Sequence, residues 1–106
     1  MWMADLSPVV GSEQAGRRPV VVVSSALFAE FPTEMAIVVP LTTRSRGLPH
    51  HVAVDSEGSG LQRPSWARTD DIRTISEQRL VGRPLGKVSD KEAEDIRVYL
   101  RLMIDI

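Results

Sequence analysis

The chain contains no cysteine, which excludes a disulfide scaffold, a cysteine-ligated zinc site and a thiol nucleophile together. Lysine is nearly absent: Lys87 and Lys91 stand against eleven arginines. A GC-rich genome produces that bias, but arginine also carries a planar donor fork that matches phosphate oxygens. Aromatic residues make up 5% of the chain. The longest aliphatic run, Val20 to Val23, falls far short of the about 20 residues that a membrane span requires. Neither sign of charge dominates, with 13 basic and 14 acidic residues and a formal net charge of −1. No global field therefore draws the chain to nucleic acid or membrane. Any phosphate site must be a local cluster, and Arg17, Arg18, Arg44 and Arg46 form one in the first half. Met1-Trp2-Met3-Ala4-Asp5 lacks the basic segment of a targeting signal. A soluble, cytoplasmic protein without membrane association is expected.

What remains is ordinary globular material. Of 106 residues, 42% are hydrophobic and 25% charged, which excludes a disordered tail. One domain over residues 1–106 is expected, without internal repeats. A chain this short buries only about 65% of its extended surface, so a core shared between two copies is a plausible supplement.

The pattern reads as strands followed by one good helix. Trp2, Ala4 and Leu6 alternate with polar or intervening residues, and Ser7 to Arg18 reads as a loop. Pro19 opens the run Val20–Val23, suited to a strand covered on both faces. A short helix or turn around Ala26 to Glu30 is stopped by Pro32. Strand character resumes over Met35–Val39 and ends in Pro40-Leu41-Thr42-Thr43. Arg44 to Pro49 is a loop, His51–Val54 a short strand, and Glu57–Gly60 a turn. Trp66 to Ile75 reads as one further strand, and Gly82–Lys87 as a β-turn entering a last one. Ser89-Asp90-Lys91-Glu92 has capping-box form. Ala93, Ile96, Leu100 and Met103 follow at helical spacing, so a terminal helix lies on the sheet. Beyond Val98 the helix is apolar on other sides too, which hints at a second contact surface.

Most catalytic chemistries find no support. His50 and His51 are adjacent, so on a strand they point to opposite faces and cannot chelate one ion. No metal and no cofactor is expected. Gly82-Arg83-Pro84-Leu85-Gly86-Lys87 has one residue too few for a phosphate-binding P-loop. No Gly-x-Ser-x-Gly elbow occurs. The informative stretch is Gly11-Ser12-Glu13-Gln14-Ala15-Gly16-Arg17-Arg18-Pro19, which sets Arg18 at the root of a buried strand. Thr42 and Thr43 end the next apolar strand. If these strands are antiparallel neighbours, Arg18 and Thr42 meet at the same margin.

Asp5-Leu6-Ser7-Pro8, Gly11 to Pro19, Val38-Val39-Pro40-Leu41-Thr42-Thr43, Asp70-Asp71-Ile72-Arg73-Thr74-Ile75 and Gly86-Lys87-Val88-Ser89 occur in that order and spacing. Together they resemble the MazF/PemK (Kid) family of toxin–antitoxin endoribonucleases over nearly the whole chain. The resemblance implies an α+β, mainly β fold, a small SH3-like β-barrel with a C-terminal helix, working as a homodimer. It implies metal-independent cleavage of single-stranded RNA, chiefly messenger RNA, at short sequences, leaving 2′,3′-cyclic phosphate and 5′-hydroxyl ends. It also implies a MazE-like antitoxin that blocks the groove with an extended, partly acidic tail.

By that resemblance Arg18 and Thr42 take the catalytic positions, and Glu13, Gln14 and Arg17 fall in the substrate-covering loop. Arg68 and Asp70 correspond to an acid–base pair of the Kid branch. Gln14, Arg17, Thr43 and Arg44 are the RNA-binding candidates. Asp71 stands where the family commonly has glutamine, adding a negative charge near the implied RNA path. Physically, a held guanidinium stabilises charge building on the phosphoryl oxygens, while Glu13 or Asp70 takes the 2′ proton. Trp66 is either a core residue or a stacking surface for an unstacked base. The alternative is a non-cleaving toxin on the same fold, such as a CcdB-like gyrase poison, or an inactive RNA-binding module.

Overall fold

The computed structural model describes residues 1–6 and 16–105. Its elements run β1 (Trp2–Asp5), β2 (Arg17–Val22), α1 (Ala26–Ala29), β3 (Met35–Thr42), β4 (His51–Val54), β5 (Ser65–Arg68), β6 (Arg73–Ser76), β7 (Leu80–Val81) and α2 (Asp90–Ile104). The strands pair antiparallel in the order β4-β5-β3-β2-β1-β7, and β6 adds to β3. β3 organises the molecule. Its first half pairs with β6 and its end with β5, while β2 lies along its other edge. The sheet does not close on itself, yet the mainly β architecture with a C-terminal helix is the one the sequence implied.

Alternation of side chains along β2 and β3 divides the core in two. Val20 and Val38 join Ala4, Leu6, Ala36 and Ile75 on one face. Val21, Val39 and Leu41 join Val52, Val54, Ala67 and Ile96 of α2 on the other. This is why the valine run carries branched side chains at successive positions: Val20 and Val21 face different cores.

α2 is docked by its first turn. Ser89 Oγ accepts from the Glu92 N–H at 3.1 Å, and Glu92 Oε1 accepts from the Ser89 N–H at 2.8 Å, completing the capping box. The same carboxylate accepts from the Asp55 N–H at 2.8 Å, the Ser56 N–H at 3.1 Å and the Ser56 hydroxyl at 2.7 Å. A helix cap thus doubles as the fastener between α2 and the end of β4. Ile96 is buried and Tyr99 and Leu100 pack beside it. Met103 departs from the expected core stripe: it is 45% exposed, as residues 101–105 are all exposed.

Two further expectations change. The single strand expected over Trp66 to Ile75 is broken by a 3-10 turn at Thr69–Asp71, separating β5 from β6. Thr69 is fully buried and its hydroxyl donates to the His50 carbonyl at 2.6 Å, which pins the turn. No strand follows Gly82–Lys87, because its backbone bonds elsewhere. The Leu85 N–H donates to the Met1 carbonyl and the Lys87 N–H to that of Gly58. The two segments cross so closely that a Cβ on Gly60 would stand 1.9 Å from the Leu85 oxygen. Gly60 also has φ +72°, so only glycine fits there.

Candidate active site

The β2–β3 register pairs Val20 with Pro40 and Val22 with Val38. The two strands are antiparallel neighbours, as the Arg18–Thr42 juxtaposition required. The pairing ends at Val20–Pro40, so Arg18 and Thr42 each lie two residues beyond the last β2–β3 pair, at the same end of the two strands. Arg18 also pairs with Ala4 of β1, Thr42 with Trp66 of β5, and Trp66 with Ala53 of β4. Ala4 with Arg18, and Thr42 with Trp66 and Ala53, are thus two short rows, which alternation from the Val20–Pro40 pair sets on the same face. In the adjacent row Arg68 pairs with His51, and Arg73 of β6 pairs with Val38 in the row beyond. Arginines 18, 68 and 73 thus share the face that carries Thr42.

Arg18 is half-buried, and its Nε is buried with no hydrogen-bond partner among the described residues. The side chain is thus partly covered without being sealed away. Thr42 is 7% exposed, and its Oγ1 accepts the Arg44 N–H at 3.2 Å. With a lone pair so engaged, its own O–H remains to donate. Arg17, Thr43 and Arg44 are exposed around this margin. Thr43 lines a cavity of about 390 Å³ with Met3 and Pro19, residues that alternate to the reverse face from Arg18. Glu13 and Gln14 lie outside the described residues.

A second cluster adjoins the first, and sequence reasoning missed most of it. His50 Nε2 stands 3.2 Å from Asp70 Oδ2 and His51 Nε2 3.3 Å from Asp70 Oδ1. The expectation that these histidines diverge fails because His50 lies in the turn before β4, where strand alternation does not apply. Arg68 reaches Asp70 and Asp71 only at 3.8 Å, and its buried Nε makes no hydrogen bond among the described residues. Arg73 donates to Asp71 at 2.8 Å. The extra negative charge of Asp71 is thereby countered in place. The polar triplet Thr69-Asp70-Asp71 inside an alternating stretch was the one signal of this turn.

Three ligand-type atoms of His50, His51 and Asp70 lie within 4.8 Å of one another. The donor set fits a hydrogen-bonded triad better than a metal ion. A metal on His51 Nε2 would force the ring proton onto Nδ1, which is buried without a partner among the described residues. Arg68 beside Asp70 adds a cation where a metal would sit.

Burial pushes the Asp70 carboxyl up, but the hydrogen bond from His50 and the charges of His51, Arg68 and His50 outweigh it and hold the group below the usual range. Burial pulls His51 down, against the raising influence of Asp70. The contact of His51 with Asp70 is therefore a hydrogen bond from neutral imidazole at pH 7, despite its salt-bridge distance. Both depressions act alike on folding. Stability is full above the unfolded values and is lost as pH falls, first for His51 below its ordinary 6.5 and then for Asp70 below its ordinary 3.8. Thermal melts from pH 8 to pH 3 should show a plateau and then a decline beginning near pH 6.5. His51→Gln should lose that first step; an unchanged profile would contradict a buried neutral His51.

Among the described residues no helix is long and apolar enough to cross a membrane. The model of the PemK-like, MazF-like toxin of type II toxin-antitoxin system matches residues 1–104. Endoribonuclease EndoA of Bacillus subtilis is 36% identical over 107 residues, covering 97% of this chain and 92% of that protein. The crystal structure of MazF from Deinococcus radiodurans superposes with a TM-score of 0.85 at 23% identity, over 99% of this chain and 92% of that one, and shows the shared fold. A mycobacterial endoribonuclease in complex with its cognate antitoxin aligns with a TM-score of 0.79 at 25% identity, over 99% and 90% of the two chains. With nearly its full length matched in sequence and in fold, the chain belongs to the PemK-like, MazF-like toxins of type II toxin-antitoxin systems.

Proposed function

We propose that this chain, an endoribonuclease by its family, cuts single-stranded RNA through attack of a ribose 2′-hydroxyl on the adjacent phosphorus. The P–O5′ bond breaks, leaving a 2′,3′-cyclic phosphate and a 5′-hydroxyl. The observation that carries the reading is the antiparallel pairing of β2 with β3, which brings a half-buried Arg18 and a Thr42 hydroxyl that accepts from the Arg44 N–H to the same end of the two strands. Arg18 stabilises the charge that grows on the phosphoryl oxygens, and Thr42 holds the phosphate in line. Asp70, kept below the usual carboxylate range, is poorly matched to base work at neutral pH, so proton removal is assigned to Glu13. Asp70 instead orients His50 and His51 and sits beside Arg68. Gln14, Arg17 and Arg44 contact the strand on either side of the cut, while Thr43 faces the cavity on the reverse side.

The same arginine-bearing face suits an acidic, extended antitoxin tail, which competes with RNA for it. Val98, Leu102, Met103 and Ile104, exposed on α2, offer an apolar surface for a second copy. A cytoplasmic site of action follows from the RNA substrate.

Incubation of a long transcript in excess chelator tests the reading. Fragments with cyclic phosphate ends are expected, and intact RNA would refute it. Thr42→Ala should cut about 100-fold more slowly, Thr42→Ser should recover most of the rate, and both should melt near the parent. A folded Thr42→Ala chain of full activity would remove Thr42 from the mechanism.

A further inference from the structure

We infer that Trp66 is a stacking platform for the nucleobase next to the cut, and so sets sequence preference there; this rests on the ribonuclease reading above. Strand alternation decides which way the ring faces. Ser65 and Ala67, its neighbours on β5, are buried, and Ala67 belongs to the core beneath α2. Trp66 is turned to the opposite face, is half-buried, and is part of neither apolar cluster. It makes no ring contact with another aromatic side chain among the described residues. A large apolar ring held on a strand without a core to fill is a surface prepared for something flat.

Its surroundings say what that is. Thr42 is the cross-strand partner on one side and Ala53 on the other, and Ala53 is small and exposed, which leaves one flank of the ring open. Adjacent strands lie about 4.8 Å apart, so Trp66 stands one strand from Thr42, on the face that alternation also gives to Arg18. Arg68, two residues along β5 and on the same face, has a guanidinium whose nearest carboxylate oxygens lie at 3.8 Å, beyond hydrogen-bond length. An aromatic ring that shares its face with one arginine along its own strand and another across the sheet is suited to take a base and a flanking phosphate. Stacking alone accepts any base; the indole N–H and Arg68 supply donors that distinguish one base edge from another.

Once the cut site is mapped, an RNA with a 2′-deoxyribose at that site provides an uncleavable probe. Saturating wild-type protein with this probe should quench its tryptophan fluorescence, and Trp66→Phe should abolish most of the quench while binding within about threefold. Trp66→Ala should bind about 10- to 100-fold more weakly and relax the base preference at one position beside the cut. Wild-type cleavage together with unaltered affinity and site choice in Trp66→Ala would overturn this inference alone. A wild-type chain that neither binds nor cuts RNA would overturn the ribonuclease reading and this inference with it.

Discussion

Arg18→Ala is expected to lower single-turnover RNA cleavage by about 100- to 1,000-fold, the usual loss when one donor to a developing oxyanion is removed. The size follows from where the guanidinium is held. Its root lies on β2, paired with Ala4 and two residues from the fully buried Val20, and its Nε is itself buried. A donor fixed before the reaction begins needs no reorganisation as charge shifts onto the phosphate. Arg18→Lys should recover only part of the rate, because an ammonium keeps the charge and loses the fork. Folding should be little affected in either variant, since Nε forms no internal hydrogen bond among the described residues. Rapid-quench measurement with excess enzyme separates the chemical step from product release. A full-rate Arg18→Ala enzyme that melts like the parent would discard the mechanism.

Glu92→Ala should destabilise the fold by about 3 kcal/mol, because four donors lose one charged acceptor and those that stay buried go unpaired. In a domain of this size that corresponds to about 10–20 °C in melting temperature. The donors are the N–H groups of Ser89, Asp55 and Ser56 and the Ser56 hydroxyl, so the damage reaches both the start of α2 and the end of β4. Burial raises the Glu92 carboxyl and these hydrogen bonds, led by the Ser56 hydroxyl, lower it further, leaving it below its ordinary value. The stabilisation is therefore full above about pH 4.5 and lost as pH falls. Glu92→Gln should lie between wild type and alanine. Urea titrations that give Glu92→Ala the parent midpoint would show that the contacts are incidental.

The residues that build elements were readable because local physics decided them. Ser89 and Glu92 announced the cap of α2, and the valine run announced a strand, covered on both faces at Val20 and Val21 but exposed at Val22. The double role of Glu92 was not readable, since Asp55 and Ser56 are distant in sequence and offer only backbone groups and a hydroxyl. The expectation that Arg18 and Thr42 share one end of the sheet rested on one assumption, that β2 and β3 are adjacent and antiparallel, and those strands are so paired. The His50–Asp70–His51 cluster was missed because strand alternation was extended into a turn. That turn and the Thr69–Asp71 turn opposite it are tied by the Thr69–His50 hydrogen bond, a long-range contact with no local signature. The orientation of Trp66 became decidable only once β5 was seen to end at Arg68, with Ala67 facing the core.

The crossing of Gly60 and Gly86 has a consequence for synthesis on the ribosome. β1 emerges first, yet its outer edge stays unpaired until Leu80 and Val81 have been made. The glycine crossing that locks this edge beside the turn at Glu57–Ser59 comes later still, at Leu85 and Gly86. A nascent chain that ends before Leu80 lacks β7 and with it the partner of that edge. Premature termination therefore leaves this toxin fragment with an open edge rather than a finished enzyme.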